Sequence, residues 1–284
     1  MLTTLGVLLL VPDSLFVRLI VADALVIAFW RGLIAGALIL IFVVTTRGIG
    51  AVTQVLQAGP NAWAYILFFG ISAPGFVVAI SLTSVANVVF ILAAMPVFAV
   101  VFSRIWLGEP ISGRMLWTLL GVFLGIGVIL YGSQETEGAS WQGDLVAVLV
   151  SACFAAALTA VRGLRPRSML PAVPISMIGA ACVIWPFVDV MAPVALQWPL
   201  LLAHGAFIAG ASGLMVLGPR YLSSAEVSLL ILLESVLAPL LVWYALGEDP
   251  GFWALLGGGV VIFVLVASNL VLLAGLRRRQ VARR

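Results

Sequence analysis

Ten long apolar runs, parted by short polar or Pro/Gly breaks, dominate this chain: 2–20, 24–44, 62–82, 84–106, 114–132, 144–162, 170–190, 199–219, 223–246 and 251–274. A helix needs about 20 mostly apolar residues to cross the hydrocarbon core of a bilayer, so ten crossings would use most of the 284 residues. Only 9% of residues are charged and 64% are hydrophobic, whereas about a quarter of a soluble domain is charged. So few charges cannot build a water-facing surface. Lipid offers the backbone no hydrogen bonds, so each run must satisfy its own as a helix, and the alternating pattern of a membrane β-barrel is missing. The stretch 168–219 carries one charge, Asp189; Pro193, Gln197 and Pro199 follow it and predict two spans with a short break. The start, Met1-Leu-Thr-Thr-Leu, has no basic segment or small-residue cleavage site, and reads as the beginning of a retained first helix.

The arginines give an orientation; Lys is absent. With the N-terminus placed in the cytoplasm, the cytoplasmic connections hold Arg47, Arg104, Arg114, Arg162, Arg165, Arg167 and Arg220, and the tail adds Arg277, Arg278, Arg279, Arg283 and Arg284. Arg18 and Arg31 fall on the other side, where the loops carry Glu135, Glu137, Asp144, Asp189, Glu248 and Asp249. This is the positive-inside pattern, and it predicts both termini in the cytoplasm. The basic tail is an orientation signal that also meets anionic headgroups; dispersed arginines at a net charge of +3 give no nucleic-acid signal. Cys153 and Cys182 lie in apolar runs and read as packing residues.

Two stretches repeat. Val97-Phe-Ala-Val-Val-Phe-Ser-Arg-Ile-Trp-Leu-Gly-Glu109, followed by Leu119-Leu-Gly121, matches Val236-Leu-Ala-Pro-Leu-Leu-Val-Trp-Tyr-Ala-Leu-Gly-Glu248, followed by Leu255-Leu-Gly257. Upstream, Ser84-Val-Ala86 aligns with Ser223-Ser-Ala225. The chain therefore divides into five-helix units at 1–138 and 139–276, with a basic tail at 277–284. Five is odd, so the second unit is expected upside down relative to the first. Inverted repeats are a mark of secondary transporters, where two similar halves give inward-open and outward-open states of similar energy.

The same residues resemble the drug/metabolite transporter superfamily, EamA type. Its fourth and ninth helices start with small residues, hold a proline and end in Leu-Gly-Glu; here these are Ala94-Met-Pro96 to Leu107-Gly-Glu109, with Leu119-Leu-Gly121 opening the next helix and Gly132 ending it. Phe29-Trp-Arg31 looks like the family's Phe-x-Arg in the second helix. One departure stands out: the family's Glu-Pro in the ninth helix reads Glu234-Ser235, with Pro239 four residues on. The resemblance implies an all-α membrane protein of ten helices, two inverted five-helix repeats around a central cavity, in a bacterial inner membrane. It also implies export of a small metabolite by alternating access, with aromatic or other apolar amino acids the leading substrate. Spans one, three and four, with six, eight and nine, are expected to line the cavity. No cofactor, metal or enzyme activity is expected; the partners are the solute and the lipid bilayer, and the chain is a monomer, with a homodimer as the alternative.

Polar groups inside a membrane are costly and point to function. Asp13, after the kink-forming Pro12, either lines the pathway or pairs with Arg18. Glu234, in mid-span with no nearby base, is a candidate proton carrier or amine ligand, or else a buried neutral acid with a hydrogen bond, while Glu226 is read as an interfacial partner of Arg220. His204 near the outer start of span eight binds substrate or is structural, and Asn87, with Thr83, either faces the pathway or caps a helix. Ser72, Pro74 and Gly75 interrupt span three as Gly210, Ser212 and Gly213 interrupt span eight, and paired interruptions point to a binding site. Ser224, Ser228 and Ser235 recur along span nine at helical spacing. Phe76, Phe90 and Trp185 are candidate stacking residues, and Pro96 and Pro239 candidate kinks. Gly32-x-x-x-Gly36 and Gly121-x-x-x-Gly125 read as close-packing seams within the chain.

Rival readings fare worse. Gly210-Ala-Ser-Gly213 resembles a rhomboid-type serine motif, but the only histidine lies eight residues earlier on the same helix, about 12 Å along its axis and beyond nucleophile–base contact. A retinal pigment needs a lysine, an ATP motor a phosphate loop, and a channel a filter or charge ring. A multidrug, nucleoside or other metabolite carrier of the same fold is the main alternative.

Overall fold

The computed structural model describes residues 2–134, 138–162, 164, 169–191, 194–217 and 224–281. Helices run in the order α1 (Leu2–Leu10), α2 (Asp13–Leu19), α3 (Ala24–Arg47), α4 (Gly50–Leu56), α5 (Pro60–Leu82), α6 (Val85–Ala93), α7 (Met95–Leu107), α8 (Gly113–Gly132), α9 (Trp141–Arg162), α10 (Ala172–Ile184), α11 (Val194–Leu217), α12 (Ser224–Leu246) and α13 (Phe252–Val281). A single 3₁₀ turn, Trp185–Phe187, extends α10. No strand occurs among the described residues. Seven helical segments there are long and apolar enough to cross a membrane: Ala24–Arg47, Pro60–Leu82, Val85–Leu107, Gly113–Gly132, Trp141–Arg162, Gln197–Met215 and Phe252–Ala274. Ala172–Phe187 and Leu232–Leu246 are shorter apolar segments.

The discontinuities differ from those read in the sequence. α5 and α11 are continuous through Pro74 and through Gly210, Ser212 and Gly213. A helix lined by neighbouring helices absorbs one missing N–H without breaking. The first run instead breaks at Val11–Pro12 into α1 and α2. The fourth run breaks at Ala94, where the bonds tighten to Ala94 N→Ile91 O and Val97 N→Ala94 O, because Pro96 cannot donate to Leu92. Pro239 sits inside an unbroken α12. The short α4, between the second and third long runs, had no apolar signal of its own.

Packing joins the two halves of the sequence in matched pairs: α3 lies on α10, α8 on α13, α5 on α9, and α1 with α2 on α11. Glycine sets two of these seams. A Cβ on Gly125 would stand 2.8 Å from the Gly257 carbonyl oxygen, and one on Gly257 2.6 Å from that of Gly125. A Cβ on Gly36 would meet Ile178 at 2.7 Å. Both G-x-x-x-G motifs thus serve packing within the chain. The Leu-Gly-Glu triplets are helix ends: Gly108 and Gly247 take the left-handed conformation, φ 67° and 72°, that only glycine adopts cheaply. Glu109 N then bonds Ser103 O at 3.3 Å, and Gly247 N bonds Trp243 O at 2.9 Å.

Candidate functional site

Asp13 opens α2 directly after the Pro12 break, at the positive end of the helix. It is buried and takes a two-point salt bridge from Arg31 of α3: Nε to Oδ1 at 3.0 Å and Nη2 to Oδ2 at 2.6 Å. Planar guanidinium and carboxylate match in this geometry. Arg31 Nη1 reaches the Ala73 carbonyl at 3.4 Å, and its guanidinium carbon lies 5.7 Å from the centre of the Phe76 ring, both on α5. Ser72, fully buried beside them, turns its hydroxyl to its own helix at Phe69 O.

His204 of α11 brings in the other half of the chain. Its Nε2 lies 2.6 Å from Asp13 Oδ1, and its ring stacks on Phe16 at 5.4 Å. An ionised carboxylate only accepts, so Nε2 carries the hydrogen. Nδ1 is buried with no hydrogen-bond partner among the described residues. Glu234 of α12 is half-buried, makes no hydrogen bond among the described residues, and lies within electrostatic reach of Asp13 and Arg31. One neutral salt bridge and one acid unpaired among the described residues thus meet where α2, α3 and α5 face α11 and α12.

Several expectations change. Asp13 does not pair with Arg18; at five residues' spacing the two side chains leave α2 on different faces. Arg18 instead bonds Glu248, and Arg31, expected near the outer surface, is a buried partner of Asp13. His204 is mid-helix and fully buried, because α11 begins at Val194, earlier than its apolar run.

A second buried cluster contains Asn87. Asp144 Oδ1 accepts from Thr83 Oγ1 at 2.8 Å and from Asn87 Nδ2 at 3.0 Å, and its Oδ2 accepts from Ser133 Oγ. Asn87 and Thr83 are therefore not the cap of α6; Ser84 is, through Asn87 N at 3.2 Å. The cluster ties together the ends of α5, α6, α8 and α9.

Asp13, Ser72, Phe76, His204 and Glu234 converge, with Pro12 and Pro74 shaping the backbone around them. Others do not join them. Phe90 packs against Gly258 of α13, where a Cβ would lie 2.3 Å from its ring. Trp185 is 63% exposed on the 3₁₀ turn. Ser212 is half-buried, two turns further along α11 than His204. The side chains of Ser228 and Glu226, and all of Arg220, lie outside the described residues. Arg31 was legible as a cost, a cation inside an apolar run, but nothing in sequence ties it to Asp13.

Comparison with known proteins bears on the family and the fold. The model of the EamA-like transporter family matches twice, at residues 5–131 and 141–270. One solved crystal structure shares the fold with a TM-score of 0.64 at 18% identity, over 98% of this chain and 96% of the other. A search of curated proteins finds no match.

Proposed function

The chain belongs to the EamA-like transporter family, a family of secondary transporters of small metabolites in the drug/metabolite superfamily, and from that premise we propose an amino acid exporter working by alternating access. It is a multi-pass membrane protein. In our reading the repeats are the five-helix units 1–138 and 139–276, inserted with opposite orientation, with both termini in the cytoplasm of a bacterial inner membrane. Broken spans count once, so α1 with α2 and α6 with α7 each make a single crossing, giving ten.

The observation that carries the reading is the meeting of both repeats at Asp13, Arg31, His204 and Glu234. A charged cluster in lipid is expensive unless it works or is fully paired. Asp13 and Arg31 neutralise each other, whereas the Glu234 carboxyl group makes no hydrogen bond among the described residues. A solute with an amine can pair with Glu234, and the same cluster holds the rings of Phe76, against Arg31, and Phe16, stacked on His204. This favours a zwitterion with an apolar or aromatic side chain. Alternating access follows if the halves rock about the cluster and present it to one face at a time.

The test is counterflow in liposomes with radiolabelled amino acids, nucleosides and cationic drugs. Saturable uptake of an aromatic amino acid, competed by excess unlabelled solute and reduced at least tenfold by Glu234→Gln, is the expected result. Non-saturable flux would favour a channel, and uptake of nucleosides alone would replace the substrate class.

A further inference from the structure

We propose that the two Leu-Gly-Glu glutamates are reciprocal latches, Glu248 closing one face of the protein on Arg18 and Glu109 closing the opposite face on Arg162. The proposal rests on the carrier reading above and adds the parts that must open.

Each pair joins the two repeats, and each is built the same way. The arginine stands at the end of its repeat's first span, on α2 and on α9. The glutamate follows the left-handed glycine that ends its repeat's fourth span, on α7 and on α12. The glycine turn projects the carboxylate past the helix end. Arg18 Nε meets Glu248 Oε2 at 2.7 Å and Nη2 meets Oε1 at 3.1 Å; Arg162 Nη2 meets both oxygens of Glu109, at 2.8 and 3.0 Å. Both carboxylate oxygens are engaged in each pair, by two nitrogens of Arg18 and by one of Arg162, between the same pair of positions, with the roles of the repeats exchanged. A chance surface pair has no reason to be repeated in this way.

The latches differ in depth. Arg18 and Glu248 side chains are 26% and 24% exposed, against 44% and 46% for Arg162 and Glu109. The first pair is also tied to the start of α6, with Arg18 Nη2 on Thr83 O at 3.0 Å and Val85 N on Glu248 Oε1 at 2.8 Å. Among the described residues the second adds only Arg162 Nη1 to Ser103 Oγ at 2.6 Å. Exposed pairs are screened by water and contribute little, while partly buried pairs with extra hydrogen bonds hold more firmly. The Arg18–Glu248 face is therefore the harder one to open. By the positive-inside orientation it is the outer face.

Cysteine accessibility tests this directly. Cys153 and Cys182 are replaced by Ala, and Ser14, a buried hydroxyl next to Asp13 with no partner among the described residues, becomes the single reporter through Ser14→Cys. A membrane-impermeant methanethiosulfonate is applied to right-side-out and inside-out vesicles. Glu248→Gln and Arg18→Gln should each raise outside labelling by about five- to tenfold and leave inside labelling unchanged. Glu109→Gln should raise inside labelling by about two- to fivefold, and the swap Arg162→Glu with Glu109→Arg should return it to baseline. Unchanged labelling, equal increases from both faces, or a swap that does not restore the baseline overturns the latches. Labelling reads face opening without a substrate. Normal counterflow with latch variants that label like wild type thus removes the latches alone. The expected labelling pattern in a chain with no counterflow removes the carrier reading alone.

Discussion

Replacing Asp13 by Asn keeps its volume and takes away one charge of the buried pair. Arg31 then stays ionised, buried and without its counter-ion, held by the Ala73 carbonyl and the Phe76 ring. Removing one partner of a buried ion pair costs about 3–5 kcal/mol. Coulomb's law gives a similar scale, about 4 kcal/mol for unit charges 4 Å apart at an effective dielectric constant of about 20. At roughly 2–4 °C per kcal/mol for a chain of this size, Asp13→Asn should lower the midpoint of thermal inactivation in detergent by roughly 6–20 °C. The double variant Asp13→Asn with Arg31→Gln removes both charges and should recover much of that loss, since a neutral pair of similar volume avoids the desolvation penalty. The assay is the monodisperse fraction surviving a heating series, which suits irreversible unfolding. An Asp13→Asn variant as stable as wild type, or a double variant no better than the single, would refute the claim that Asp13 and Arg31 form one neutral unit.

Three further outcomes follow from the packing. Gly125→Ala should destabilise by about 1–3 kcal/mol, because its Cβ meets the Gly257 carbonyl and Val261, while Gly127→Ala, with nothing within 4 Å, should leave the inactivation midpoint unchanged. Asp144→Ala strands the Thr83, Asn87 and Ser133 donors and should cost about 1–3 kcal/mol or more in the same heating series. Trp185→Ala should leave counterflow within about twofold of wild type if its ring, on the exposed 3₁₀ turn, only anchors the protein at the membrane interface.

Much of the fold could be read from the chain because lipid leaves so few choices. Apolar run length locates the helices, and the boundaries at α3, α5, α8, α9 and α12 fall within a few residues of the runs. The helix breaks were harder, since proline marks a missing donor but not its consequence. Pro12 and Pro96 accompany breaks, whereas Pro74, Pro199 and Pro239 sit in unbroken helices. Whether a freed carbonyl opens a helix depends on what packs against it, and that is set by distant segments. α4 has no signal in the chain for another reason: its seven residues are too short to stand out as an apolar run.

The site was partly legible. Asp13, His204 and Glu234 announce themselves because each is a costly group in an apolar run. Their grouping does not, since His204 lies 191 residues from Asp13 and no spacing rule reaches that far. Arg31 was visible as a motif letter and as a costly cation in an apolar run, but its pairing with Asp13 is a property of how α2 crosses α3. The Leu-Gly-Glu triplets show the same division. The glycine is explained locally, as a left-handed helix end. The glutamate after it has no local partner, and its reason emerges only when Glu248 is seen to meet Arg18 across 230 residues. A repeat keeps a charged residue in corresponding places when both places do the same physical work. Here that work is to join each repeat to the first helix of the other.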